Sequence, residues 1–401
     1  MKTRYFAVTC GVFLVLAVSA VATHGQNAAV SDSSGTIASP LRWYSRSFPL
    51  ASRVTREMVR KAVAANATVP MWSYSVTSPV DNNSYSGVMV GRSPFFHGAR
   101  TTSVPAYIVP IKINMPDGGV FDPSAPDSAC SPKGTAVVLT QQSPIMQSTP
   151  FSMGSTDVGS TQYIDAFQRG NFWTDVVTTG DSYHTMLSPV TLNAITVNVP
   201  AGSGLTCSLA QYNGCGNIGF IDNSWFDPYL QNTLIPSLAA QGVNAATFPM
   251  ILLYNVWQVS SSSELQCFPP NGFFSYHNAY GYPPQTYSVD AYDTTGVLSN
   301  TGNVSVLSHE VGEWMDDPLG TNPTPAWGKV GQVTGCQSNL EVGDPLTGTL
   351  LPPVTMPNGF AYDLQELAFF SWFYRQSPSL GVNDWFSDNG TFSTDAGAVC
   401  S

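Results

Sequence analysis

Apolar and polar positions follow two rhythms along this chain. One is close to two residues. It marks Trp72 to Val76, Gly87 to Val90, and Tyr107 to Asn114 (YIVPIKIN) as strands. Pro110 assigns the last of these to a sheet edge, because proline gives a ladder no N–H. Val190 to Val199 (VTLNAITVNV) reads as one strand, Thr247 to Val259 contains a buried one, and Phe273 to Tyr280 and Gln285 to Asp293 read as short strands. The other rhythm is 3.6 residues. It predicts helices over Arg53 to Ala65, Ser160 to Gly170, Trp225 to Gln241 with a break at Pro236, and Leu364 to Arg375. The last is strongly apolar, with Glu366 as its odd residue. A fifth helix covers Asn303 to Pro318 (NVSVLSHEVGEWMDDP), with Val304, Leu307, Val311, Trp314 and Met315 as its apolar stripe. Pro318 stops it. Strands and helices mixed in this order predict an α+β fold with a mixed sheet.

Composition narrows the class. A chain of 401 residues that is 43% hydrophobic buries a large core, whereas 10% charged residues with 34 Gly and 30 Pro make it loop-rich rather than disordered. The net charge of −11 argues against nucleic acid and anionic membranes as partners. Residues 1–22 read as a signal peptide. Lys2 and Arg4 precede an apolar run from Phe6 to Val18, and Ala20-Val21-Ala22 offers a small-x-small cleavage site. An uncleaved anchor is the competing reading, since Tyr5 to Ala22 is nearly long enough to span. The mature chain is then expected outside the cell or in the periplasm. Residues 23–50, rich in Ser, Ala and Gly, are an expected linker. Residues 51–318 form an expected sheet-and-helix subdomain, and residues 319–401 a loop-rich C-terminal subdomain that completes the site. Beyond Cys10 six cysteines remain, an even number that suits disulfides in an exported protein. The short loop between Cys207 and Cys215 makes them the expected pair.

The chemistry concentrates in the 303–318 helix. At about 100° per residue, His309, Glu313 and Asp316 fall within roughly 60° of one another, opposite the apolar stripe. Glu310, Glu313, Asp316 and Asp317 crowd a helix that has no Lys or Arg. Anions at a helix C-terminus cost about 0.3–1 kcal/mol each, and like charges one turn apart add roughly a few tenths. A divalent cation reverses that cost. The bland alternative is an acidic solvated face, with His309 and Glu313 as an ordinary i, i+4 pair. Gly312 costs about 1 kcal/mol against Ala in a helix, which points to a strand or loop packed closely against it.

His309-Glu310-Val311-Gly312-Glu313 is an H-E-x-x-E, one residue type from the H-E-x-x-H of zinc peptidases. The element order around it resembles the upper half of a zincin metallopeptidase, a twisted mixed sheet backed by helices with the His309 helix under its edge. Tyr276-His277, then H-E-x-x-E, then Glu341-Val342-Gly343-Asp344 resemble the extracellular EXORDIUM, or phosphate-induced, family and secreted bacterial proteins with zincin-like helices. The likeness covers roughly the C-terminal third. It implies that His309, Glu313 and Glu341 are metal ligands, Glu310 the water-activating base, and Asp344 a neighbour that orients them. By position alone, His277 stands as a fourth ligand, a supporting partner or a satisfied structural histidine, Asp316 as a supporting carboxylate, and Glu366 as a rival of Glu341. With Glu313 in place of an imidazole the site is harder and more negative: zinc fits, and calcium or manganese compete. Two functions are compatible with these residues. One is a secreted metallohydrolase acting on protein or peptide. The other is a non-catalytic extracellular protein that binds glycan or matrix on the same fold.

Overall fold

The computed structural model describes residues 54–98, 100–298 and 300–400, together with the backbone of a strand at Trp43–Phe48. The expected signal peptide lies outside the described residues, as does most of the expected linker. Within that linker stretch, however, Trp43–Phe48 forms a strand, β1. The elements that build the site follow in chain order. They are β2 (Arg100–Asn114), α1 (Tyr163–Asn171), β3 (Tyr183–Thr191), β4 (Ile195–Asn198), β5 (Phe248–Tyr254), β6 (Val256–Val259), β7 (Phe273–Tyr280), β8 (Gln285–Tyr292), α2 (Ser305–Asp316), β9 (Pro323–Val330), β10 (Val333–Asn339) and α3 (Phe370–Tyr374).

The fold is α+β, with a mixed, partly curled sheet backed by helices. At its centre β3, β2, β5 and β8 run parallel in that order, and β7 pairs antiparallel with β8 and carries the sheet on to β1 and β6. Parallel strands need cover on both faces, and these have it. Along β2, Val104, Ala106 and Ile108 enter one apolar cluster while Val109, Ile111 and Ile113 enter another. β5 divides likewise, with Phe248, Met250 and Leu252 on one side and Ile251 and Leu253 on the other. The first cluster also takes in α2 and α3, so residues before and after position 318 share it. Among the described residues no helix is long and apolar enough to cross a membrane.

Several elements differ from the expectation. Pro110 lies in a central strand, not an edge. Pairing of β2 with β3 ends at Ile108 and pairing with β4 starts at Ile111, so the missing N–H falls where the two partners change over. The same step splits the expected 190–199 strand into β3 and β4. The expected 225–241 helix is a series of short turns after Asn223–Tyr229, including a π-turn at Leu230–Leu234. The expected 364–375 helix shrinks to α3. Gln365 and Ala368 bridge to Leu350 and Ser387, which holds the chain extended until Phe369. Cys207 does not pair with Cys215. The bonds are Cys130–Cys215, Cys207–Cys267 and Cys336–Cys400. Cys207 points into a small core with Trp257 and Phe274, while the Cys215 N–H donates to the Thr295 carbonyl in the turn after β8.

Helix α2 sits beneath β7 and β8 and against α1. Trp314 stacks on Phe248 with ring centroids 3.7 Å apart, and its Nε1–H donates to Thr286 Oγ1 at 3.0 Å. A Cβ on Gly312 would stand 2.6 Å from Leu367 Cδ1, which explains a glycine in mid-helix. Every residue of α2 is buried, so its carboxylate side is not a solvated face.

Candidate metal centre

Two His/Glu clusters meet on α2, and Glu313 belongs to both. His309, Glu313 and Asp344 form one, and His277, Glu310 and Glu313 the other. In each, one candidate ligand atom from every residue lies within 4.8 Å of the rest. Helical spacing puts His309 over Glu313, and His309 Nε2 is 3.0 Å from Glu313 Oε1. The turn after β10 brings Asp344 Oδ1 to 3.6 Å from the same nitrogen. Ligand atoms about 2.0–2.2 Å from a shared ion stand roughly 3 Å apart, so the separation suits a metal pair as well as a hydrogen bond.

The tautomer of His309 follows from its other side. Nδ1 lies 3.0 Å from Gln365 Oε1. Gln365 Nε2–H donates to the Gly343 carbonyl at 2.7 Å, which fixes the amide so that its oxygen faces the ring. Nδ1 therefore carries the hydrogen, and the Nε2 lone pair faces Glu313 and Asp344. Metal-binding histidines are held in this way by an acceptor behind the ring. Gly343 must be small, because a Cβ there would stand 2.4 Å from His309 Nδ1. Its N–H donates to Glu313 Oε1 at 3.2 Å. The Glu-Val-Gly-Asp turn thus holds both histidine and glutamate with its backbone, which its side chains alone do not reveal.

The second cluster has a different character. Ser275 Oγ donates to Glu310 Oε1 at 2.7 Å. His277 sets Nδ1 3.2 Å from Glu310 Oε2 and Nε2 3.1 Å from the Asp317 carbonyl. Burial alone would lower the His277 pKa. The Glu310 carboxylate, helped by Glu341 and Asp317, overcomes this and pushes it up to about 9. With an acceptor at each ring nitrogen, His277 is placed as a charge partner of Glu310.

Glu341 is fully buried and near Glu313; its Oε1 accepts from Asn339 Nδ2 at 2.5 Å. Asp344 accepts from Gln332 and Gln337 Nε2, the latter at 2.9 Å. Burial, then the neighbouring carboxylates, push Glu313 and Glu341 well up, and Asp344 rises to about 6 for the same reasons, with His309 opposing. Protons or a cation must hold this group together. One imidazole nitrogen with carboxylate oxygens fits a divalent ion.

Two expected contributors are elsewhere. Asp316 accepts from Gln168 Nε2 at 2.6 Å and Asn171 Nδ2 at 3.4 Å on α1. Glu366 faces away, because the extended backbone there gives its position to Gln365. It accepts from Ser387 Oγ at 2.6 Å, Asn389 N–H at 3.2 Å, Thr391 N–H at 3.0 Å and Thr391 Oγ1 at 2.6 Å. Gln365 and Ser275 escaped sequence reading. Gln365 neighbours the suspect Glu366, but a helical reading sets it on the wrong side. The chain matches no protein-family model, no curated protein and no solved structure.

Proposed function

We propose that this is a secreted protein built around one divalent-metal centre, and that the centre is that of a metallohydrolase of the peptidase kind. The observation that carries the reading is His309, with Nδ1 fixed on Gln365 and Nε2 turned to Glu313 and Asp344. Glu341 completes the donor set, with zinc the first candidate and calcium or manganese its competitors. Such an ion supplies Lewis acidity and lowers the pKa of water. Glu310 is the group that accepts the proton of the attacking water. Ser275 and His277 orient its carboxylate. Support for the zincin type comes from the mixed sheet, whose antiparallel strands β7 and β8 lie against the metal-type helix. Three disulfides suit export to an oxidising compartment.

A specific observation favours the second reading, an extracellular protein that binds glycan or matrix and keeps the ion for structure. His309, Glu310, Glu313 and Glu341 are fully buried, and structural sites are closed whereas catalytic ones keep an open position. One experiment separates the two. Metal is measured in protein purified without added metal, beside hydrolysis of an unfolded protein substrate. Glu310→Gln should keep the metal and abolish hydrolysis, while His309→Ala and Glu313→Ala should lose both. Metal with no hydrolysis in any preparation selects the second reading. No metal in the unaltered protein removes both.

A further inference from the structure

A hydrolase must admit its substrate, and this centre is closed. Ser275 and His277 of β7 are fully buried with the rest of it. The pairing of β7 shows where an entrance lies. On one side Ser275 to Tyr280 pair with β8. Residues Phe273 to Asn278 pair in parallel with β1, and since Ser275 to Asn278 have both partners, the two strands flank β7. Ser45 stands opposite Ser275, and Ser47 opposite His277. β1 also lies against α2.

β1 differs from the other strands of the sheet in its place in the chain. It is the first described element, so lifting it away breaks no connection between the others. Among the described strands it pairs with β7 alone, as β3 and β4 each pair with β2 alone, and parallel pairing is slightly weaker per residue than antiparallel. Without it, β7 would present a row of open N–H and C=O groups, a template for an extended chain. Peptides recognised at such edges bind through their main chain, with side chains alternating to either face.

We propose that β1 is an intramolecular stand-in on the strand-binding edge of this centre, and that once β1 is displaced the edge takes an extended polypeptide as an added strand. The consequence for activity rests on the metallohydrolase reading, for which this names the substrate class: polypeptide in extended form, laid beside Ser275 and His277. β1 then acts as an inhibitory strap, and its removal opens the centre.

The test uses the full chain with Ser45→Pro and Arg46→Pro together. Ladder bonds from one strand alternate, so two adjacent prolines remove a donor whichever residue faces β7. Amide exchange of Phe273 to Asn278 should quicken about tenfold or more as the edge opens. A fluorescent synthetic peptide of residues 43–48 should then bind the variant saturably, restore that protection, and bind the unaltered protein far more weakly. Unchanged exchange in the variant, or an opened edge that binds no peptide, overturns the proposal. Should the variant not fold, the unaltered protein decides. Its β7 amides must exchange faster than those of β5, and equal protection rejects a displaceable strap. These readouts need neither metal nor turnover. Peptide binding by a protein without metal would sink the hydrolase reading and leave the strap standing.

Discussion

At the scale of single residues, the centre depends on groups that carry no charge. Gln365 joins the His309 ring to the Gly343 carbonyl, so it sets both the tautomer and the distance between helix and turn. Gln365→Ala removes the acceptor behind Nδ1. Its expected effect is a loss of metal affinity of about 10–100-fold, the usual cost of removing such a support, with the fold retained. Competition with a chelator of known affinity measures it, and unchanged affinity would refute the positioning role. Gly343→Ala tests the same contact from the other side. The added Cβ would drive into the imidazole, and overpacking of this kind costs about 1–3 kcal/mol. The variant should fold less stably and hold metal worse than Gln365→Ala does. Of this local chemistry, the sequence made His309, Glu313 and the Glu341–Asp344 turn legible, because ionisable groups at helical or motif spacing stand out. A glutamine stands out nowhere, and its partner here is 56 positions away.

The elements were legible where one rule governed them. Helix α2 has an apolar stripe and a proline after its end, and its span is close to the expectation. Where two rules competed, tertiary contacts decided. The stretch from Leu364 to Arg375 is apolar enough for a helix, yet bridges to Leu350 and Ser387 hold its first half extended. Periodicity cannot register a partner that far along the chain. Gly312 poses the same contest within α2. Alanine there gains about 1 kcal/mol of helix propensity, but its Cβ would meet Leu367 Cδ1 in a fully buried position. Overpacking at about 1–3 kcal/mol wins, so Gly312→Ala should lower the denaturant midpoint. Leu367→Val, which retracts that methyl, should recover part of the loss when combined with it. A stabilised Gly312→Ala protein would show that Leu367 swings clear at little cost.

Across the whole molecule, the centre draws on segments far apart in sequence: β7, α2, the turn after β10 and the Gln365 segment. Disulfide partners 60 to 85 residues apart show the same long-range order, which residue spacing could not foretell. Electrostatics gives this assembly a pH signature. Glu313, Glu341, Asp344 and Asp317 all hold their protons more tightly in the folded chain than an ordinary carboxyl does, first because of burial. The native state then binds more protons than the unfolded one, and stability falls as pH rises. For Asp344 and Asp317 this loss spans the interval from 3.8 to about 6. His277 adds a second loss. Its contribution is complete below 6.5 and disappears as pH climbs through about 9. A divalent ion acts in the opposite sense. It takes the place of the protons, so its affinity grows with pH, and at 100 times its Kd it adds about 2.7 kcal/mol. The gap in melting temperature between metal-loaded and chelator-stripped protein should therefore be small near about pH 5 and widen by about pH 8. Calorimetry at both values reads it directly. A gap independent of pH would mean that the ion binds outside this carboxylate cluster. No gap at either pH would mean that protons alone hold the cluster together.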